Sequence, residues 1–396
     1  MNILLLNEYF PPDTSATAKM AALVVGELSK RHRVTVLCGR PSYDPSDRHP
    51  FYLLRREQQG NVTVERVGST TYPRFRMRQR VMNYLSYLTL AVPRALLIPA
   101  DVVLAMTDPP MMGIAAAFVA MLKRRPFVYN IRDMYPDMAL GGEIVRPSGW
   151  VNEWEKMHRW ALQLAAKVIV LGEDMKDRIV AKGADSSRVV VARDGVLIPD
   201  VLPPVGHPVS QEVRCGFPFV LLHAGNLGFY GAWRTLVKAA RELEREGVGL
   251  VFVGEGAKRA EIEAAAQGSP AVRFLPFRPP EHIPHVLAAG DLHIVTIRRG
   301  LEGVVVPSKL YGILAAGRPV LVVAPEESDV ARIVRRAGCG VVADPDNADA
   351  VVAAVRGLLA DRQELTEMGE RARAAAAEYE RQKQLALFVQ AVESAV

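Results

Sequence analysis

Apolar runs of four to six residues, rich in leucine and β-branched side chains, recur along the chain. They alternate with segments whose apolar positions repeat at helical spacing. In the first half the runs are Asn2 to Leu6, Arg33 to Leu37, Asp101 to Ala105, Phe127 to Ile131 and Val168 to Leu171, with the first helical segment at Ser15 to Lys30. A second series follows at Phe219 to Ala224, Leu250 to Val253, Val272 to Leu275, Leu292 to Ile297 and Val320 to Val323. Such alternation predicts parallel sheets covered by helices, and its repetition predicts two Rossmann-like α/β domains. Ligands of these sheets collect where the strands end at their carboxyl side, so the loops after the runs are the first places to look for chemistry.

Between Val196 and Cys215 the period is lost among Pro199, Pro203, Pro204 and Pro208. This predicts a linker at 199–215, an N-terminal domain at 1–198 and a C-terminal domain at 216–375, with an alanine-rich helical end at 376–396. One segment stands apart from the sheet pattern. In Tyr72 to Pro93, Arg74, Arg76, Arg78 and Arg80 precede Val81, Tyr84, Leu85, Leu88 and Val92, which share one helical face. Arginines beside an aromatic and leucine-rich face suit an anionic membrane interface; a core helix with a basic flank is the alternative.

Charge sharpens that picture. The 396 residues carry a net +6, but the first 200 hold 27 Lys and Arg against 20 Asp and Glu, so the excess lies in the N-terminal half. An anionic partner is expected there, a membrane surface and not nucleic acid, since no recognition motif accompanies the charge. Cys38, Cys215 and Cys339 show no paired spacing, against a disulfide framework or structural zinc and in keeping with a reducing cytoplasm. MNILLLNEYFPP lacks the basic lead and cleavage pattern of a signal peptide, and no apolar run is long enough for a membrane span. The expected location is the cytoplasm, peripheral to the inner face of the cytoplasmic membrane.

The richest chemistry lies in Gly300 to Val320, GLEGVVVPSKLYGILAAGRPV. A loop ends at Pro307, and Ser308, with N-cap chemistry, opens a short helix through Lys309 and Leu310 that Gly317 stops. A cation in the first turn is locally unfavourable unless an anion sits there, so this reads as a phosphate seat. Other strand-end loops offer Gly225 and Asn226 in HAGNLGFYG, the Gly254-Glu255-Gly256 turn, Ser15 before the first helix, and Pro276 and Phe277 as an apolar slot for a base. Arg132, Asp133 and Asp137 follow a strand, where charges are costly unless paired or used. No metal site is expected: a proline separates His282 from His285, and Asp344-Pro345-Asp346 reads as a helix cap.

PSKLYGILAAGRPV resembles the donor-site helix of retaining GT-B glycosyltransferases of family 4, in the branch that builds bacterial surface polysaccharide. Arg132 to Pro136 resembles the family's R-D-x-x-P segment, and GNLG its diphosphate turn. The resemblance implies two Rossmann-like domains facing across a cleft, with the final helix crossing back onto the N-terminal domain. It implies transfer of a hexosyl or N-acetylhexosaminyl group from a nucleotide-sugar, a UDP-sugar first of all, to a lipid-linked glycan, without metal or other cofactor. Glu302 takes the place of the acid facing the donor sugar, Asp133 lies on the acceptor side, and Ser15, Gly225, Asn226, Gly254, Glu255, Pro276, Phe277, Ser308, Lys309 and Leu310 serve the nucleotide-sugar. Three positions depart from the pattern. Gly312 stands where the family has its ribose-binding acid, and Asn226 and Gly231 stand where it has two diphosphate cations, leaving Lys309, helped by Arg298 or Arg299, to meet that charge. A nucleotide-sugar 2-epimerase of the same fold and a non-catalytic sugar-nucleotide-binding subunit are the rival readings.

Overall fold

A computed structural model describes residues 1–43, 50–73, 76–202 and 206–396. The chain divides into two compact units: Met1–Leu140, Val145–Arg193 and Gln384–Val396 form unit 1, and Gly141–Ile144 with Asp194–Lys383 form unit 2.

Unit 1 runs β1 (Asn2–Leu6), α1 (Ala16–Leu28), β2 (Arg33–Cys38), β3 (Leu54–Gln59), β4 (Val62–Val67), α2 (Met77–Leu97), β5 (Val102–Ala105), α3 (Met112–Lys123), β6 (Phe127–Asn130), α4 (Asp137–Gly141), α5 (Gly149–Leu164), β7 (Lys167–Val170), α6 (Glu173–Ala181) and β8 (Val189–Val191). The sheet order is β3-β4-β2-β1-β5-β6-β7-β8. Only β3 is antiparallel to its neighbour. Its LRREQQ carries no apolar alternation because every residue is exposed at the sheet edge, so the pattern of apolar runs passes over it.

Unit 2 runs α7 (Pro208–Arg214), β9 (Phe219–Ala224), α8 (Trp233–Glu242), β10 (Val248–Val253), α9 (Arg259–Ala266), β11 (Val272–Leu275), α10 (Ile283–Ala289), β12 (Leu292–Thr296), α11 (Lys309–Ala315), β13 (Val320–Val323), α12 (Asp329–Ala337), β14 (Gly340–Ala343), α13 (Ala348–Ala360) and α14 (Arg362–Ala375). Its six strands lie parallel in the order β11-β10-β9-β12-β13-β14. Near-continuous burial of β9, β10, β12 and β13 explains their unbroken apolar sequences, since helices cover both faces of a parallel sheet.

The expected linker is part of unit 2. Its second half is α7, held because Val213 is fully buried against Val220, Leu222 and Val286, and Ser210 Oγ donates to the His285 carbonyl at 2.8 Å. Prolines flanking the helix hide these contacts from a reading of composition. The last helix, α15 (Arg381–Glu393), places Leu385, Phe388, Val389 and Val392 in the unit 1 core beside Leu5, Val24 and Val36.

Most of the amphipathic segment Tyr72 to Pro93 lies in α2. α2 continues past Pro93 to Leu97, and its buried row is Asn83, Tyr87, Ala91 and Ala95, with the Tyr87 hydroxyl donating to the Leu37 carbonyl at 2.7 Å. Small and polar residues four apart pack against the sheet, while Met77, Val81, Met82 and Leu85 are exposed. Arg80 turns to the Tyr84 hydroxyl, and Arg74 lies outside the described residues. Among the described residues no helix is long and apolar enough to cross a membrane.

Candidate active-site loops

In unit 2 the loops after β9, β10 and β11 converge through backbone. Gly225 N donates to Val253 O and Gly254 N to Leu275 O, both at 2.9 Å, and Leu227 N donates to Glu255 O at 2.8 Å. The approach demands glycine at 254: φ is +152°, and a Cβ there would lie 2.0 Å from Gly225 O and 3.3 Å from Phe277 Cε1. Phe277 is 54% exposed, so its ring is presented beside Gly254 and not spent in the core.

Lys309 reaches this spot from the first position of α11. Its Nζ lies 2.8 Å from His223 Nε2 and 5.9 Å from the Tyr230 ring centroid, and a Cβ on Gly225 would sit 3.1 Å from it. His223, near the end of β9, is fully buried, with its ring edge-on to Trp233 at 4.9 Å. Burial holds the Lys309 ammonium down to about 7, and among the described residues no carboxylate opposes it. Burial first, then Lys309, holds His223 well below the usual imidazole range. The lysine is therefore neither a solvated surface charge nor a fully ionised one. His223 was in plain view in HAGN, but a histidine inside a buried strand reads as core until its lysine neighbour is known.

Gly225, Gly254, Phe277 and Lys309 thus meet in one place. Pro276 is exposed beside Phe277, and Asn226 is exposed, its carbonyl accepting the Tyr230 hydroxyl. The remaining named residues are held by local contacts within unit 2. Leu310 is fully buried and its N–H donates to the Pro307 carbonyl at 3.2 Å, so it is a core residue with a satisfied amide. Ser308 is exposed in helical geometry and makes no side-chain cap bond, because the first turn closes through Leu310 to Pro307 and Tyr311 to Ser308 instead. Glu255 pairs with Arg259. Glu302 accepts from Gly300 N at 2.7 Å, which orders the loop ahead of α11. Arg299 is committed to Asp344 and Asp346, at 2.7 and 2.8 Å, and it is this ion pair, not helix capping, that employs the two aspartates; Asn347 caps α13. Arg298 donates to the Gly141 carbonyl and keeps a buried Nε without a hydrogen-bond partner.

The corresponding loops of unit 1 are built from side chains. Glu8 is 1% exposed, and Asn7, Asp13, Arg40, Thr107, Asn130 and Arg132 are also buried around the carboxyl ends of β1, β2, β5 and β6. Asp13 Oδ1 accepts from Ser42 N and Tyr43 N at 2.9 and 2.8 Å, and burial raises its carboxyl above the ordinary value. Ser15 Oγ caps α1 by accepting from Ala18 N at 3.0 Å. Asp133 is half-buried; after burial itself, its charge and that of Asp108 push the Tyr135 phenol well above its usual range, which places all three in one neighbourhood with Tyr84 and Arg80. Asp137 instead binds Arg178 and Lys182 at 3.0 and 2.8 Å, a structural pairing. Asn7 and Glu8, directly after an all-leucine run, were the signal for this cluster. Among the described residues no group of three or more potential ligands could hold a metal ion.

Each of the two units is thus an α/β unit with a parallel-dominant sheet and strand-end loops, and those of unit 2 are built from glycine around a cation. A model of the glycosyl transferase 4-like domain matches residues 16–195, and one of glycosyl transferases group 1 matches residues 211–375. The chain belongs to the family 4 glycosyltransferases of GT-B type. It is 31% identical over 140 residues to WcaI of Escherichia coli K12, assigned to colanic acid biosynthesis as a glycosyl transferase, covering 35% of this chain and 34% of WcaI. It is 23% identical over 256 residues to the glycosyltransferase WbjE of Pseudomonas aeruginosa, covering 62% of this chain and 63% of WbjE. The matched segments thus span about a third and under two thirds of these curated relatives. Among solved structures, Anabaena HepE in complex with UDP superposes with a TM-score of 0.71 at 17% identity over the whole of both chains. Thermosynechococcus elongatus sucrose-phosphate synthase does so with 0.74 at 13% identity, over all of this chain and 98% of that one.

Proposed function

We propose that this chain transfers a sugar, with retention at the anomeric carbon, from a UDP-sugar to a lipid-linked glycan in surface polysaccharide synthesis, at the inner face of the cytoplasmic membrane. The observation that carries the donor half is the Lys309 ammonium, which lies against Gly225 and His223 with no carboxylate partner among the described residues. A desolvated cation beside glycine backbone stabilises the charge that develops on a departing diphosphate. Phe277 offers its exposed ring to the base. Glu302 meets the donor sugar, and Asp133, amid the unit 1 cluster, serves the acceptor hydroxyl. The Anabaena relative binds UDP and UDP-glucose, which supports the choice of donor class.

Lys309→Ala should weaken nucleotide-sugar binding by about 1.5–3 kcal/mol, the range for hydrogen bonds to charged groups. Glu302→Gln and Asp133→Asn should lower turnover while leaving nucleotide affinity nearly unchanged. Titration calorimetry with UDP-, GDP- and dTDP-sugars checks this; an unchanged dissociation constant in Lys309→Ala removes the donor assignment. The membrane reading rests on the exposed Met77, Val81, Met82 and Leu85 of α2 and on Phe118, Met121 and Leu122 of α3, which packs against α2. Replacing Val81 and Leu85 by Ser should abolish co-sedimentation with anionic vesicles. Equal sedimentation of this variant, or none by the wild type at low salt, overturns it.

A further inference from the structure

The Lys309–His223 contact has a consequence for how the donor site fills. Two basic nitrogens sit 2.8 Å apart, the imidazole fully buried in the central strand and the amine at the head of α11. Among the described residues, the titratable groups in contact with the amine are His223 and Tyr230, neither of which carries a negative charge. On β9 the group is His223, and in the loop before α8 it is Tyr230, whose phenol burial raises far above neutrality and whose hydroxyl is given to the Asn226 carbonyl. On the neighbouring loops Glu255 is paired with Arg259, Glu302 accepts from Gly300 N, and Arg299 is held by Asp344 and Asp346. Among the described residues no fixed negative charge therefore secures a proton on the pair before a ligand arrives.

We propose that donor binding is proton-coupled: the diphosphate of the nucleotide-sugar docks on a protonated Lys309 that hydrogen-bonds neutral His223, and the chain takes up one proton at Lys309 as the site fills. This rests on the donor reading above and adds to it a pH dependence that a permanently charged lysine or arginine would not produce. The balance is simple. The proton comes from solvent, no covalent bond to the sugar is made or broken, and the two phosphate charges of the bound diphosphate replace the solvent that the buried amine lacks. With the unliganded amine held near 7, the sign follows. Below that pH the ammonium is already present and binding needs no proton. Above it, binding must first charge the amine, so affinity should fall about tenfold per pH unit until the pKa of the bound state is reached.

The test uses the full chain and nucleotide-sugars, whose diphosphate is esterified at both ends and does not titrate between pH 6 and 9. UDP-glucose, GDP-mannose and dTDP-glucose are each titrated by calorimetry at pH 6 and pH 8, in buffers of different ionisation enthalpy. The expected result is a flat affinity below pH 7 and, at pH 8, an apparent enthalpy that varies with the buffer's ionisation enthalpy with a slope of about 0.9 proton taken up. Lys309→Arg, whose guanidinium stays protonated throughout, and Lys309→Met should both lose that slope. A wild-type slope of zero at pH 8 with measurable binding overturns the coupling and leaves the donor site standing. A slope that persists in either variant moves the proton elsewhere and overturns the assignment to Lys309. Absence of saturable binding for all three sugars at both pH values removes the donor reading and the coupling together.

Discussion

The strand-end loops of the two units solve the same topological problem with opposite materials. In unit 2 backbone approaches backbone, Gly254 closing on the Gly225 carbonyl, and one amine–imidazole pair supplies the polarity. In unit 1 the same position in the fold is crowded with buried charges, Glu8, Asp13, Arg40 and Arg132 among them. A glycine-built site can bring backbone close around an anion such as a diphosphate, whereas a side-chain-built site is shaped for one partner. Substitutions should therefore act through geometry in unit 2 and through hydrogen bonding and charge in unit 1.

The largest effect should come from Gly254→Ala. Its Cβ would meet the Gly225 carbonyl oxygen at 2.0 Å, a backbone atom that cannot swing away, and φ of +152° adds strain for any L side chain. A loss of about 3 kcal/mol or more is expected, with collapse of nucleotide binding. Gly225→Ala makes the informative contrast, because its φ of +143° carries the same backbone strain while its new methyl meets only the flexible tip of Lys309, at 3.1 Å. It should lose less stability than Gly254→Ala, the strain without the backbone clash, and lose affinity as well. Thermal melts of the two variants check the pair; equal melting temperatures would dissolve the claim that unit 2 is backbone-built.

How much of this was legible in the chain follows from the same contrast. The strands of both units could be read because a parallel sheet buried on two faces writes itself as unbroken apolar runs, as in FVLLHA and VLVV. The exposed β3 and the Pro-flanked α7 could not, since neither carries a run. Gly225, Gly254 and Lys309 stood out by loop position, and the structure brings them together. Leu310 and Ser308 do not join them, because being next to a residue along a helix turns a side chain by about 100° for each step. His223 and the Asp13 network were missed because their meaning lies in partners distant in sequence, Lys309 for the one and Ser42 and Tyr43 for the other.

Asp13 tests the side-chain-built half. Asp13→Ala would leave the buried Ser42 and Tyr43 amides without an acceptor, at about 1–3 kcal/mol for each. Asp13→Asn keeps a carbonyl oxygen for both and removes a charge that burial makes unfavourable. An acid whose folded pKa is raised contributes stability below its unfolded value and loses it as the pH climbs through the folded value. The Asn variant should therefore equal or exceed the wild type in stability at pH 7, and the advantage should vanish below the unfolded value of 3.8, where the wild-type carboxyl is protonated in both states. Urea melts at pH 7 and pH 3.5 measure this, and an Asn variant as unstable as Ala would show that the carboxylate charge itself, paired with Arg66, holds the loop.

The smallest effect, and the one that joins the geometry of unit 2 to its ligand, is expected at Gly312. This residue lies in the middle of α11, where the family pattern places the ribose-binding acid, yet a Cβ built on it meets no atom within 4 Å. The space is therefore open on the helix face, and no neighbour forces the glycine. Gly312→Glu should fold, and helix propensity alone should favour it by up to about 1 kcal/mol over glycine. A carboxylate there would also stand one helical turn beyond Lys309, and a negative charge reaching the amine would favour its ammonium form and raise its pKa. Two opposed outcomes separate the readings. If the ribose of a nucleotide-sugar lies along this face, the variant should bind UDP-glucose more tightly while a glutamine variant shows about half the free-energy gain, because charge-assisted hydrogen bonds are roughly twice as strong as neutral ones. If instead the glutamate simply satisfies Lys309, binding should weaken and its pH dependence above pH 7 should disappear, since the ammonium would then be secured without the diphosphate. Calorimetry across pH 6–9 with the glycine, glutamine and glutamate forms distinguishes the two, and identical affinities in all three would place the ribose away from α11 altogether.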